Sequence, residues 1–93
     1  MKLLVTALLQ EARPFLERLD LKKHSFGHGL EFWLGKEYAI LVTGTGRVPA
    51  AVRVARALQL PEMEAVGHVM NIGMCGCADS KTPVGAAFLI NKI

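Results

Sequence analysis

Two short apolar runs, residues 2–8 and 38–42, constrain this sequence most. Each is far shorter than the roughly 20 residues that a membrane span needs. Neither shows the apolar–polar alternation of a strand with one face in water, so both are typical of strands buried on both faces. Residues at helical spacing follow each run, and strands joined by helical crossovers indicate an α/β fold. We therefore expect a three-layer domain: a mostly parallel or mixed sheet with flanking helices and right-handed crossovers.

Periodicity and turn residues predict the other elements. Ala12, Phe15, Leu16 and Leu19 recur at helical spacing, which predicts a helix from near Glu11 to near Asp20 with Pro14 in its first turn. Further along the chain we predict a turn at 25–29, strands at 30–34 and 37–43 with a Gly35-Lys36 hairpin turn, a helix over 49–59, and strands at 65–72 and 86–91.

Length and composition indicate one domain with an apolar surface. The 93 residues, of 10.1 kDa, would expose about 5,300 Å² when folded and about 14,600 Å² when unfolded. Apolar residues and glycine together reach about 60% of the chain, against a usual 45–50%, so the chain is too apolar to be disordered. We expect a single, incomplete domain over 1–93, with an apolar face covered by another subunit or by missing sequence.

Several functional classes are excluded by composition. Cys75 and Cys77 are too close for a stapling disulfide, and two cysteines with three scattered histidines do not make a zinc site. The net charge of +3 is spread along the chain, which gives little support to nucleic-acid binding. No secretory cleavage site follows the first apolar run. We expect a cytoplasmic protein that binds no membrane, nucleic acid, metal or cofactor.

Three turns carry the candidate chemistry. Glu11 follows the first strand, 43–47 follows a later buried strand, and 71–76 follows the next one. Ligands of open α/β sheets bind beyond the carboxyl ends of the strands, so we expect the three turns to face one crevice.

Structural explanations stand beside these functional ones. A favourable interaction with the helix dipole, worth about 0.3–1 kcal/mol, is sufficient to explain Glu11; the functional alternative is a carboxylate that orients a water or accepts its proton. Gly44 and Gly46 suit a tight turn as well as a close approach to a ligand. Cys75 fits a small buried hydrophobe better than a reactive thiol.

Four segments, taken together, resemble the nucleoside phosphorylase / methylthioadenosine nucleosidase superfamily. Their order and spacing fit that superfamily and cover nearly the whole chain, which corresponds to the N-terminal part, less than half, of a typical member. The segments are 7–11 (Ala-Leu-Leu-Gln-Glu), 42–51 (Val-Thr-Gly-Thr-Gly-Arg-Val-Pro-Ala-Ala), 70–76 (Met-Asn-Ile-Gly-Met-Cys-Gly) and 83–86 (Pro-Val-Gly-Ala).

The resemblance implies cleavage of a purine-type N-glycosidic bond, by water in nucleosidases or by phosphate in phosphorylases. Glu11 matches the glutamate that helps position the attacking water. Met74, Cys75 and Gly76 match the loop whose backbone lines the sugar and the base, and Thr43 and Gly44 match the loop near the nucleophile. These six residues are the predicted site.

The sequence also departs from the family pattern. Asn71 stands where one phosphorylase branch carries a phosphate-binding arginine, which favours hydrolysis, and Met74 stands where nucleosidases usually have a hydroxyl side chain. The general acid, a sugar-binding glutamate and a base-stacking aromatic belong to a C-terminal half with no counterpart here. General-acid help is worth about 10²–10⁴-fold, so we expect little turnover from these 93 residues alone.

Two other functions stay open. One is a non-enzymatic α/β remnant that self-associates or binds a partner through a bare sheet edge. The other is a small nucleotide-binding domain. We expect the chain either to form a homo-oligomer or to require a C-terminal half.

Overall fold

A computed structural model describes residues 1–24, 31–76 and 78–90. The turn predicted at 25–29 lies outside these residues. The described elements, in chain order, are β1 (Lys2–Thr6), α1 (Leu9–Arg18), β2 (Lys22–His24), β3 (Glu31–Leu34), β4 (Tyr38–Val42), α2 (Arg47–Leu58), a 3₁₀ turn (Pro61–Met63) and β5 (His68–Asn71).

The five strands form one mixed sheet in the order β2-β3-β4-β1-β5. β1 lies between β4 and β5 and is parallel to both, with Leu4 opposite Ile40 on one side and Met70 on the other. β3 pairs antiparallel with both β2 and β4. The predicted α/β class and mixed sheet are therefore confirmed, and the parallel part consists of β4, β1 and β5.

Side chains of β1 and β4 point alternately into two cores, one on each face of the sheet. On one face, Leu4 and Ile40 pack with Ala12 of α1. On the other, Leu3 and Leu41 pack with Ala57 of α2. The absence of alternation in the two apolar runs follows from this arrangement, because a strand between two helical layers has no face in water.

Helix α1 begins two residues earlier than predicted. The carboxylate of Glu11 accepts a hydrogen bond from the Leu8 N–H, so Glu11 occupies the third helical position rather than the first. Pro14 consequently lies in the second turn, and the prediction that it falls in the first turn is wrong. Its ring removes one donor from the helix interior, which is unfavourable by itself; the apolar face of α1 packed on the sheet offsets this cost.

Strand prediction failed in two places. β2 was not predicted, because Lys22–His24 is polar and its extended form depends on pairing with β3. The strand predicted at 86–91 is wrong over 86–90, which form no strand, and residue 91 lies outside the described part. An apolar run becomes a strand only where a neighbouring edge satisfies its backbone groups, and 86–90 pairs with no strand among the residues that the structure describes.

Several large apolar side chains are exposed, and two of the regions that carry them follow α2 in the chain. All four residues of β5 are exposed, as are the large apolar residues between 84 and 90. Within the described part of the chain, no helix is both long enough and apolar enough to cross a membrane.

Candidate functional site

The carboxyl ends of β4, β1 and β5 meet at one edge of the sheet, which we call the rim. Backbone hydrogen bonds extend both parallel ladders past the strands: the Gly44 N–H donates to the Ala7 carbonyl at 2.9 Å, and the Ile72 N–H donates to the Val5 carbonyl at 2.8 Å. The turn after β1 is therefore held between the turn after β4 and the loop after β5. The predicted convergence of the three turns is confirmed.

Glu11 joins two of the three turns through its carboxylate. Oε1 accepts a hydrogen bond from the Leu8 N–H at 3.0 Å, which is the capping contact expected of a glutamate at this helical position. Oε2 accepts a hydrogen bond from the Met74 N–H at 2.8 Å, across 63 residues of sequence. Capping of α1 explains the first bond but does not require the second, so Glu11 also positions the loop that follows β5.

Gly73 allows this approach. A Cβ atom at position 73 would lie 3.2 Å from Oε2 of Glu11, closer than most side chains tolerate. Glycine at 73 therefore leaves room for the carboxylate beside the backbone of the loop.

The turn after β4 is fixed by Thr43 and Gly44. Thr43 is buried, and its hydroxyl lies 3.4 Å from the Thr6 carbonyl and 2.9 Å from the Gly44 carbonyl. Gly44 has a φ of 81°, in the left-handed region that favours glycine. The Thr43 hydroxyl is thus engaged within the chain, and the rim presents the backbone of this turn rather than a free threonine side chain.

Arg53 is a rim residue that sequence reasoning missed. It is half-buried, and its Nη1 donates a hydrogen bond to the Thr43 carbonyl. A Cβ atom at position 44 would lie 3.0 Å from that nitrogen. Side chains on a helix lean toward its N-terminus, so an arginine in the second turn of α2 could have been recognised as able to reach back to the preceding turn.

The loop residues 74–76 are all exposed. Met74 uses its N–H for Glu11, while its side chain is 76% exposed. Cys75 is exposed and free, so the expectation that it is a buried hydrophobe is wrong. The N–H groups of Cys75 and Gly76 donate to no acceptor in the described part of the chain. Both donors are therefore open to a ligand.

Charge at the rim comes from few side chains. Glu11 contributes a carboxylate, and Arg53 a guanidinium, on opposite sides of the turn after β1. Among residues 1–24, 31–76 and 78–90, no cluster of three histidine, cysteine, aspartate or glutamate side chains could hold a metal ion. The rim can accept hydrogen bonds through a carboxylate and donate them through backbone N–H groups and the Arg53 guanidinium.

A separate cavity of about 530 Å³ lies at the other end of the sheet. It is lined by the connection between α1 and β2 and by the β3–β4 hairpin, and it contains none of the six predicted site residues. Its lining residues are 19–22 and 34–38.

Comparison of the chain with protein-family models, with curated proteins and with solved structures finds no match. The roles of Glu11, Thr43, Gly44, Met74, Cys75 and Gly76 therefore stay predictions.

Proposed function

We propose that the rim is part of a site that binds a purine nucleoside and assists cleavage of its N-glycosidic bond, by hydrolysis in preference to phosphorolysis. The observation that carries this proposal is the position of Glu11. The resemblance matches Glu11 to a water-positioning glutamate after the first strand, and its carboxylate lies between the helix start after β1 and the loop after β5.

The hydrogen-bonding capacity of Glu11 supports this role. A carboxylate offers about four lone-pair positions, and the described part of the chain uses one on each oxygen. The remaining positions can accept a hydrogen bond from a water or from a sugar hydroxyl. The two backbone N–H groups also fix the orientation of the carboxylate, which is what a group that orients a nucleophilic water requires.

The loop 74–76 would supply the ligand contacts. The N–H groups of Cys75 and Gly76 are donors without an acceptor in the described chain, and they follow directly on the N–H that Glu11 holds. The Met74 N–H is occupied by Glu11, so Met74 would contribute its exposed thioether side chain, a soft apolar surface suited to a base or an alkylthio group.

The same geometry explains why we expect binding without efficient turnover. Glycosidic cleavage needs a proton for the leaving base, and that step is typically accelerated about 10²–10⁴-fold by a positioned acid. The predicted site residues contain a single carboxyl group, and Glu11 is already assigned to the water.

Binding is tested by ¹⁵N NMR titration of the full chain with adenosine, methylthioadenosine and inosine. We expect shifts at Gly44, Cys75 and Gly76, with few changes at residues 34–38 around the remote cavity. Shifts confined to that cavity, or none with any nucleoside, would refute the proposal.

Chemistry is tested by measuring release of free base from the same nucleosides with and without phosphate. We expect only traces of base and no increase with phosphate. Phosphate-dependent release would contradict hydrolysis. Turnover at an ordinary enzymatic rate would contradict the expectation that the site lacks a general acid.

In the NMR titration, Glu11→Gln should weaken the nucleoside-induced shifts at Cys75, whereas Glu17→Gln, an exposed change on the same helix, should leave them unchanged.

A further inference from the structure

The cavity at the end of the sheet remote from the rim has the size of a small-molecule site. Its volume of about 530 Å³ lies within the roughly 300–1,000 Å³ that is usual for ligand pockets. One wall is the connection from α1 to β2, residues 19–22, and the other is the β3–β4 hairpin, residues 34–38. We call them the α1–β2 wall and the hairpin wall.

Close contact at Gly35 fixes the separation of the two walls. A Cβ atom at position 35 would lie 2.9 Å from the Asp20 carbonyl oxygen and 2.5 Å from Leu21 Cδ2, closer than a side chain tolerates. The Gly35 N–H donates to the Tyr38 carbonyl at 2.9 Å, which closes the hairpin turn. The cavity is therefore built from packed backbone, and ligand pockets are usually pre-formed in this way.

The partly buried part of the lining is apolar or aromatic. It consists of Leu19, Leu21, Leu34 and Tyr38. Leu19, Leu21 and Tyr38 also pack against the core on the α1 face of the sheet, so the fold sets their positions. Such a surface binds an apolar group of a ligand by removing that group from water.

The exposed part of the lining is charged, and each wall carries one acid and one base. Asp20 and Lys22 lie on the α1–β2 wall, and Lys36 and Glu37 lie on the hairpin wall. None of these four side chains forms an ion pair or a hydrogen bond within the described part of the chain. A ligand with one kind of charge would meet a like charge on each wall, whereas a zwitterion can pair with both kinds.

We propose that this cavity binds a free α-amino acid with an apolar side chain. Such a molecule joins an ammonium and a carboxylate to an apolar group, which is the combination that the lining accommodates. The apolar group packs on the leucines and Tyr38, the ammonium pairs with an acid of the lining, and the carboxylate pairs with a lysine. The inference is independent of nucleoside binding, because the cavity contains none of the six predicted rim residues.

A ¹⁵N NMR titration of the full chain with phenylalanine and matched analogues tests the proposal. 3-Phenylpropionate lacks the ammonium, phenethylamine lacks the carboxylate, and glycine lacks the apolar side chain. We expect phenylalanine to give saturable shifts at residues 20–22 and 34–38, with a dissociation constant about threefold or more below that of each analogue. The absence of shifts there, shifts confined to the rim, or equally tight binding of any analogue would overturn the proposal.

Variants of the hairpin wall test the pairing of charges. Lys36→Gln and Glu37→Gln each remove one charge and should weaken phenylalanine binding about two- to fivefold, as expected for ion pairs near the surface. The matched controls Lys81→Gln and Glu62→Gln, at exposed positions outside the cavity, should leave binding unchanged. The NMR spectrum of each variant shows whether it is folded. Unchanged binding in both folded hairpin variants, or equal losses in the controls, would overturn the proposal.

Discussion

The ladder of β1 with β4 and the ladder of β1 with β5 are both parallel and share one strand, yet their surroundings are opposite. β4 is buried over four of its five residues, with α1 on one face and α2 on the other. All four residues of β5 are exposed. The free energy of folding is therefore concentrated at the β1–β4 ladder, while the rim loop after β5 is attached to the less stable side. Regions of low local stability are where ligand-binding loops are usually found.

The largest effect on stability is expected from a substitution that leaves a cavity beside the buried β1–β4 ladder. Leu41 is fully buried on the α2 face, and Leu41→Ala should lower the free energy of unfolding by about 2–5 kcal/mol, because it loses apolar burial and leaves a cavity. Urea denaturation measures the change. Leu89→Ala, at a side chain 96% exposed, should change the stability by less than about 0.5 kcal/mol. Equal effects at the two positions would mean that 84–90 is packed in solution.

The next effect is at the turn that joins the buried ladder to the rim. Gly44→Ala should destabilise the chain by about 1–3 kcal/mol, because alanine is strained at a φ of 81° and its Cβ would lie 3.0 Å from Arg53 Nη1. Gly67→Ala is the matched control: nothing lies within 4 Å of its Cβ position, so it should be neutral or slightly stabilising. Similar losses for both variants would contradict the structure of the turn.

A smaller and more local effect is expected on the β5 side of the rim. Glu11→Gln replaces a charged acceptor by an amide that can accept only through one atom, which should cost about 1 kcal/mol for these solvent-accessible bonds. Hydrogen exchange should accelerate at Met74 while the Leu41 amide stays protected. The control Glu17→Gln should change neither. Acceleration at Leu41 as well would show that the two sides of β1 do not open independently.

Local sequence patterns predicted much of this fold. The unbroken apolar runs correctly indicated doubly covered strands, and the Gly35-Lys36 pair correctly indicated the hairpin between β3 and β4. Both signals depend on properties that a few neighbouring residues share. Glu11 was also identified as a rim residue, because its place after the first strand follows from the order of elements alone.

Other features of the fold could not be predicted from the pattern of neighbouring residues. β2 exists because β3 supplies a partner for polar residues, whereas the strongly apolar 86–90 remains irregular without one. Arg53 appears on the sequence as one of several helix arginines, and only the meeting of α2 with the turn after β4 directs it to the Thr43 carbonyl.

The sequence by itself determined the α/β class, the strands that are buried on both faces and the turns that carry the candidate chemistry. These depend on hydrophobic periodicity and glycine placement, which act over a few residues. The tertiary structure alone decided that Glu11 reaches the Met74 N–H, that Arg53 holds the turn after β4, and that β5 is left as an exposed edge. Hydrogen bonds across 63 residues and the pairing of strand edges depend on which segments meet in space, and no local pattern encodes that meeting.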